Sequence, residues 1–263
     1  MKMIGRINMI FDTHAHYEDD RFDEDRDELL MSMKDNGIGR IVEVGAGISS
    51  TKGAIEIAGK YDFVYASVGV HPSETAELCD KDIEWLKSLT SNEKVVAVGE
   101  IGLDYYYDEP ERDIQKKWFE AQLELAREVK LPVIIHSRDA AEDTLRIMKA
   151  HHAEDIGGVI HCFSYSMEIA KIYTDMGFYL GIGGALTFNN SKKLVKVVEN
   201  IPLERLVLET DAPYLTPVPN RGKRNSSLNL KYVVEKIAGL KGISEEEVIR
   251  VTEENAEKLY RMG

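Results

Sequence analysis

Eight short apolar segments, rich in β-branched residues and glycine, recur along the chain, and each is followed by a stretch of helical periodicity. They begin at Met9 (MIFDTHAH), Arg40 (RIVEVGAG), Val64 (VYASVGVH), Val95 (VVAVGEIG), Pro132 (PVIIHSR), Gly157 (GGVIHCF), Phe178 (FYLGIGG) and Leu206 (LVLETDAP), with 21 to 37 residues between successive starts. Apolar runs without polar alternation predict parallel strands buried on both faces, and the spacing leaves room for strand, loop and helix in every repeat. Between them, DIQKKWFEAQLELAREV puts Ile114, Trp118, Ala121 and Leu125 on one helical stripe. Ser244, with Glu247 three positions on, predicts a capping box at the start of the last helix. Pro132 marks a helix end before the fifth strand. Eight β-then-α units in 263 residues predict an α/β fold, a single (β/α)8 TIM-type barrel forming one domain over residues 1–263.

Such barrels place their chemistry at the carboxyl ends of the strands. The predicted ends are lopsided: His14 and His16 on the first, His71 on the third, Glu100 on the fourth, His136 on the fifth, His161 on the sixth, Glu209 and Asp211 on the eighth. Residues i and i+2 of a strand share a face, so His14 and His16 converge. The remaining histidines, His151 and His152, sit at a polar helix end and read as solvated surface. Imidazoles and carboxylates gathered on one rim are expensive to bury unless they hold a cation, which makes a metal centre the economical reading. With no thiolate in the set, Zn, Mn, Fe or Ni fit, while Mg alone favours an oxygen-richer shell. Six strong donors exceed one four-coordinate ion, so two divalent metal ions bridged by a carboxylate are expected.

Composition narrows the partners. With 43% apolar and 30% charged residues the chain reads as an ordinary globular protein, and no run approaches a membrane span. A net charge of −13 removes any broad electrostatic footprint for nucleic acid, so attraction to a polyanion must be local, through bound cations or basic clusters such as RGKR at 221–224. Cys79 and Cys162 form no C-x-x-C and suit a reducing compartment. The opening MKMIGRINMIF is short for a secretory signal, and a cytoplasmic, monomeric protein is expected.

Taken together, FDTHAH, GVHP, VGEIGLDYY, PVIIHSRDA, HCFS, GFYLGIGG, LETDAPYL and RGKRN resemble the TatD family of metal-dependent deoxyribonucleases, within the wider metal-dependent hydrolases, from about Phe11 to the C-terminal helix. The resemblance implies hydrolysis of DNA phosphodiester bonds, trimming from the 3′ end. It also implies that His14, His16 and Asp211 hold one metal, His136 and His161 the other, and Glu100 bridges them. His71 would lie beside the site near the scissile phosphate, and Glu209 behind Asp211 as a support or occasional ligand. The chain departs from the family pattern at Tyr165 in HCFSYS and at Ser226 and Ser227 after RGKRN, which bears on substrate shape.

The expected chemistry is water activated by two ions for in-line attack on phosphorus, with Asp211 orienting it and taking its proton. Arg138 is placed either to clamp a phosphate or to pair with Asp104 or Asp139, and the sequence leaves both open. Arg221, Lys223 and Arg224 follow the eighth strand and are candidates for substrate contact. Tyr105 to Tyr107 either stack unpaired bases or pack their loop. Rival readings are a barrel hydrolase of RNA or aminoacyl esters, cyclic amides or lactones, and a non-catalytic nucleic-acid-binding barrel. The fourth strand ends in Glu100, with no lysine to carboxylate as a bridge, which argues against the cyclic-amide group.

Overall fold

Each of the eight apolar runs overlaps a strand in the computed structural model, which describes residues 8–107 and 109–262; the second strand starts two residues before its run and the fourth ends two residues after. The first seven residues, which carry part of the reading of the chain's start, lie outside the described residues. The strands are β1 (Ile10–Ala15), β2 (Ile38–Val44), β3 (Val64–Val68), β4 (Val95–Asp104), β5 (Val133–Arg138), β6 (Gly158–Ile160), β7 (Tyr179–Ile182) and β8 (Leu206–Leu208). They pair in parallel in sequence order. The last meets the first where the amides of Thr210 and Asp211 donate to the His14 carbonyl, at 3.3 and 2.9 Å, and the His16 amide donates to Ala212 O at 2.8 Å. The result is a (β/α)8 TIM barrel.

Helices α1 (Arg26–Met31), α2 (Ile48–Lys60), α3 (Asp80–Leu89), α4 (Arg112–Val129), α5 (Ala141–Ala150), α6 (Met167–Asp175), α7 (Lys192–Asn200) and α8 (Leu230–Lys241) alternate with and follow the strands, and α9 (Glu245–Leu259) comes last. Among the described residues no helix is long and apolar enough to cross a membrane.

Strand alternation divides the apolar core in two. Ile41, Val133, Ile135, Leu206 and Leu208 belong to the large cluster shared with the helices. Val42, Val44, Ile134, Val159 and Val207 belong to a smaller one with Phe11, Leu259 and Tyr260. The second set, from strands on every side, fills the barrel lumen, and the Tyr260 hydroxyl donates to Thr13 O at 2.9 Å. Two positions beyond Ile134, Val159 and Val207 stand His136, His161 and Glu209, so the lumen column continues from apolar filling into polar chemistry.

The face of α4 differs from the expected stripe. Trp118 and Leu125 are buried as predicted, but Ile114 and Ala121 are only half-buried, and the hidden face includes Gln115 and Gln122. Both glutamines latch strand ends. Gln122 accepts from Val70 N at 2.8 Å and donates to Val70 O at 3.0 Å, and Gln115 makes the same pair of bonds with Asp104 at 2.9 Å each. Half of the expected capping box forms: Ser244 Oγ accepts from Glu247 N at 3.2 Å, but the Glu247 carboxylate is taken by Arg250, at 2.6 and 2.9 Å.

Glu100 is set by two glycines. Gly99 and Gly102 take φ of +154° and +144°, and a Cβ on Gly102 would lie 1.9 Å from His136 O. Only glycine lets β4 approach β5 so closely.

Candidate metal centre

Six residues from five strand ends converge. The Nε2 atoms of His14 and His16 face each other at 3.1 Å. Glu100 Oε2 lies 3.5 Å from His14 Nε2 and 3.9 Å from His16 Nε2, and Asp211 Oδ1 lies 3.8 and 3.6 Å from the same two atoms. The other oxygen of Glu100 faces a different pair, with Oε1 at 2.7 Å from His136 Nδ1 and 3.7 Å from His161 Nε2. His161 Nε2 is also 3.8 Å from Asp211 Oδ1, and its ring stacks on that of His14 at 3.6 Å. Asp211 adopts φ +56°, a left-handed conformation that Asp tolerates better than most side chains.

Hydrogen-bond partners assign the ring protons of His16 and His71. Val44 O, at 2.9 Å from His16 Nδ1, can only accept, so Nδ1 is protonated and Nε2 turns its lone pair to the cluster. His161 Nδ1 has no hydrogen-bond partner among the described residues; Glu209 Oε1, 3.3 Å away, accepts from the Cys162 amide at 2.6 Å and acts on the ring as a neighbouring charge. His136 has a carboxylate at each nitrogen, Asp104 Oδ2 at 3.0 Å from Nε2 and Glu100 Oε1 at 2.7 Å from Nδ1; burial opposes its cation, but these two bonds raise its pKa, so both nitrogens donate until a cation displaces a proton. His71 is reversed. Its Nδ1 accepts from the Ser73 amide at 3.2 Å, so the proton of the neutral ring is on Nε2, which points at Glu100 Oε1 from 3.8 Å.

This donor set fits a divalent cation. Ligand atoms around a tetrahedral ion with bonds of about 2.0–2.1 Å lie about 3.3–3.4 Å apart, against 3.1 to 3.9 Å among His14, His16, Glu100 and Asp211. Two lone pairs at 3.1 Å repel unless a proton or a cation lies between them. Among the described residues, four overlapping groups of three could hold an ion: His14, His16 and Asp211; His14, Glu100 and His161; His71, Glu100 and His136; His161, Cys162 and Glu209. The tautomer of His71 turns a proton rather than a lone pair toward the third group.

Charge in the cluster is balanced by protons. Burial disfavours the His161 cation, yet Glu209, Glu100 and Asp211 together push its pKa up to about 9. Burial and the neighbouring His161 charge lower His14, since two stacked imidazoles cannot both be cations. His71 is pushed down to about 3 by burial and by His136, which keeps it neutral. Burial opposes the Glu100 carboxylate, but His161 and His71 and the His136 hydrogen bond hold it well below the usual range.

The supporting shell ties the two ends of the chain together. Asp12 accepts from Thr210 N at 3.0 Å, Thr210 Oγ1 at 2.7 Å and Ser227 Oγ at 2.6 Å. Asn225 donates to the carbonyls of Thr210 and Tyr214 at 3.0 and 2.8 Å, folding the RGKRN segment onto the end of β8. Arg224 is committed to Asp25, at 2.7 and 2.5 Å, and Arg221 lies over the Phe188 ring at 3.6 Å. Neither they nor Lys223 line the cleft over the cluster. Tyr165 and Ser227, both departures from the family pattern, are absorbed inside: Tyr165 OH meets Ser137 Oγ at 2.9 Å, and Ser227 serves Asp12.

Arg138 reaches the cleft and, among the described residues, makes no ion pair with Asp104 or Asp139; its guanidinium sits 3.8 Å from the Tyr106 ring centre. Tyr105 packs its loop through a 2.7 Å bond to Asp143. His152 is exposed, and His151 is bound to Glu124 at 2.7 Å. Sequence reasoning did not find Asp104 as the partner of His136, nor Tyr214 on the rim. The VGEIGLD run held the signal for Asp104, four residues after Glu100 on the same strand.

Comparison with known proteins adds to this geometry. Residues 11–261 match the family model "TatD related DNase". The chain is 47% identical to the "Uncharacterized metal-dependent hydrolase YabD" of Bacillus subtilis (strain 168), covering 97% of this chain and 100% of that one. It is 33% identical to the "3'-5' ssDNA/RNA exonuclease TatD" of Erwinia billingiae (strain Eb661), covering 96% and 99%. The crystal structure of YJJV, a TatD homolog from Escherichia coli k12, superposes with a TM-score of 0.91 at 30% identity, covering 98% and 100%.

Proposed function

From the premise that the chain belongs to the TatD-related DNase family and is a metal-dependent hydrolase, we propose that it hydrolyses phosphodiester bonds of single-stranded DNA from the 3′ end, using two divalent ions. His14, His16 and Asp211 would hold one ion and His136 and His161 the other, with Glu100 shared between them. The observation that carries this reading is the divided carboxylate of Glu100, with Oε2 toward His14 and His16 and Oε1 toward His136 and His161. The ions supply charge neutralisation at the phosphoryl oxygens and an acidified water.

The chain's own residues do the rest. Asp211, whose carboxyl is lowered against burial by the neighbouring His16 and His161 imidazoles, is ionised and would accept the proton of the attacking water. His71 presents Nε2–H as a neutral donor to a phosphoryl oxygen, oriented by the Ser73 amide. Asp104 accepts from His136 Nε2 and holds that ring in place, and Glu209 lies beside His161 Nδ1 as a neighbouring charge. Arg138, on the rim, offsets the charge of the neighbouring phosphate. Two cysteines without a disulfide partnership suit action in the cytoplasm.

The test follows a 5′-labelled single-stranded oligodeoxynucleotide over time with Mg²⁺ or Mn²⁺, with the His161→Ala protein alongside to reveal contaminating nuclease. A ladder shortening from the 3′ end, lost in chelator and in the variant, is expected. An intact oligonucleotide under every metal overturns the nuclease reading.

A further inference from the structure

The cleft over the cluster has two lobes that share Tyr107, His136, Arg138, His161, Asp211 and Tyr214. One lobe, about 390 Å³, extends to Glu18, Asp19, Glu100 and Asp104 and is acidic. The other, about 440 Å³, extends to Ser137, Cys162, Ser164 and Leu215. It adds no carboxylate beyond the shared Asp211, and it offers hydroxyls and apolar contact. An anionic strand reaching the ions is repelled by Glu18, which the second lobe lacks, so the second lobe is where a nucleoside can settle.

Two aromatic rings stand at the junction of the lobes. Tyr107 is 66% exposed and Tyr214 48%, high values for such large side chains. Each belongs to a cation–aromatic assembly. Arg138 lies 5.4 Å from the Tyr107 ring centre and 3.8 Å from that of Tyr106, which meets Tyr107 edge-on at 4.8 Å. Arg21 covers Tyr214 at 4.1 Å and is itself fixed by two bonds to Asp19, at 2.9 and 2.8 Å. An arginine on one face of Tyr214 leaves its other face for the cleft, and a ring so held loses little entropy when it stacks.

We propose that Tyr107 and Tyr214 form a stacking gate for the base next to the cleaved phosphate, with the second lobe receiving its nucleoside, so that the substrate must present an unpaired nucleotide. The inference rests on the phosphodiesterase reading above. A base between these rings has both faces covered by protein, which a base inside a duplex cannot offer. Stacking tolerates any base, so the gate selects strandedness rather than sequence.

Steady-state kinetics of the metal-loaded protein test this on one single-stranded oligodeoxynucleotide and on the same strand made abasic at its two 3′ positions. Tyr107→Ala and Tyr214→Ala are expected to raise KM for the normal strand about 5- to 100-fold. The phenylalanine variants keep it near the wild-type value. Abasic substitution raises KM for the wild type but adds little in the alanine variants, a coupling that a merely structural role would not produce. If the wild type cleaves the strand while the alanine variants stay within twofold in KM, or keep full discrimination against the abasic strand, the gate is overturned and the phosphodiesterase reading stands. If the wild type cleaves no oligonucleotide under any metal, both fall.

Discussion

Single hydrogen bonds decide what each imidazole of this cluster can do. The Val44 carbonyl behind one nitrogen of His16 and the Asp104 carboxylate behind one of His136 leave the other nitrogen for a cation, whereas the Ser73 amide behind His71 does the reverse. Replacing His71 with Ala should therefore lower kcat by about 100-fold while the protein still takes up two equivalents of metal. Elemental analysis showing one equivalent would make His71 a ligand. Asp104→Ala should weaken metal binding about 10- to 100-fold by releasing His136, as read by competition with a chromophoric chelator. Unchanged affinity would leave Asp104 without a role at the centre. The place of His71 beside the centre was expected from the sequence, but the proton positions and the part of Asp104 were not. The parity of strand positions brings His14, His16, His136 and His161 to one rim, but tautomers depend on backbone groups far away in the chain, such as Val44 O behind His16.

At the scale of elements, β-branched runs followed by helical periodicity were enough to locate all eight strands, because a buried parallel sheet needs apolar side chains on both faces. Their lengths were not legible. β6 and β8 have three residues each and β4 has ten, since pairing stops where the chain turns to present His161 and Asp211. The stripe on α4 misled for a related reason. Gln115 and Gln122 look like solvent-facing residues, yet they lie inside because strand ends carry unpaired backbone groups that a buried amide can satisfy. Gln122→Met keeps the length and removes both bonds to Val70, and should cost roughly 2 kcal/mol, seen as a lower midpoint in urea. No change in midpoint would mean that Val70 finds other partners.

Across the whole molecule, protons and metal ions compete for the same nitrogens. The folded pKa of His161, about 9, lies above its ordinary 6.5. Its contribution to stability is therefore present in full below pH 6.5 and lost as the pH rises through 9, on the order of 3 kcal/mol. Metal affinity has the opposite sign, because binding displaces those protons. In chelator the melting temperature should fall between pH 6.5 and 9, and with Mn²⁺ present the gap between loaded and chelated protein should widen over that range. Parallel slopes in the two conditions would show that the cluster is not where the ions bind. The net charge of −13 belongs to this scale as well: with so much repulsion, attraction to a nucleic acid has to come from the cleft itself.

The seam joining Asp12 to Thr210 and Ser227 spans 198 and 215 residues of chain. At a synthesis rate of about 5–20 residues per second, Asp211 leaves the ribosome roughly 10–40 s after His14. A half-made chain carries histidines but no assembled centre, so the proposed hydrolytic activity arises only after translation has passed β8.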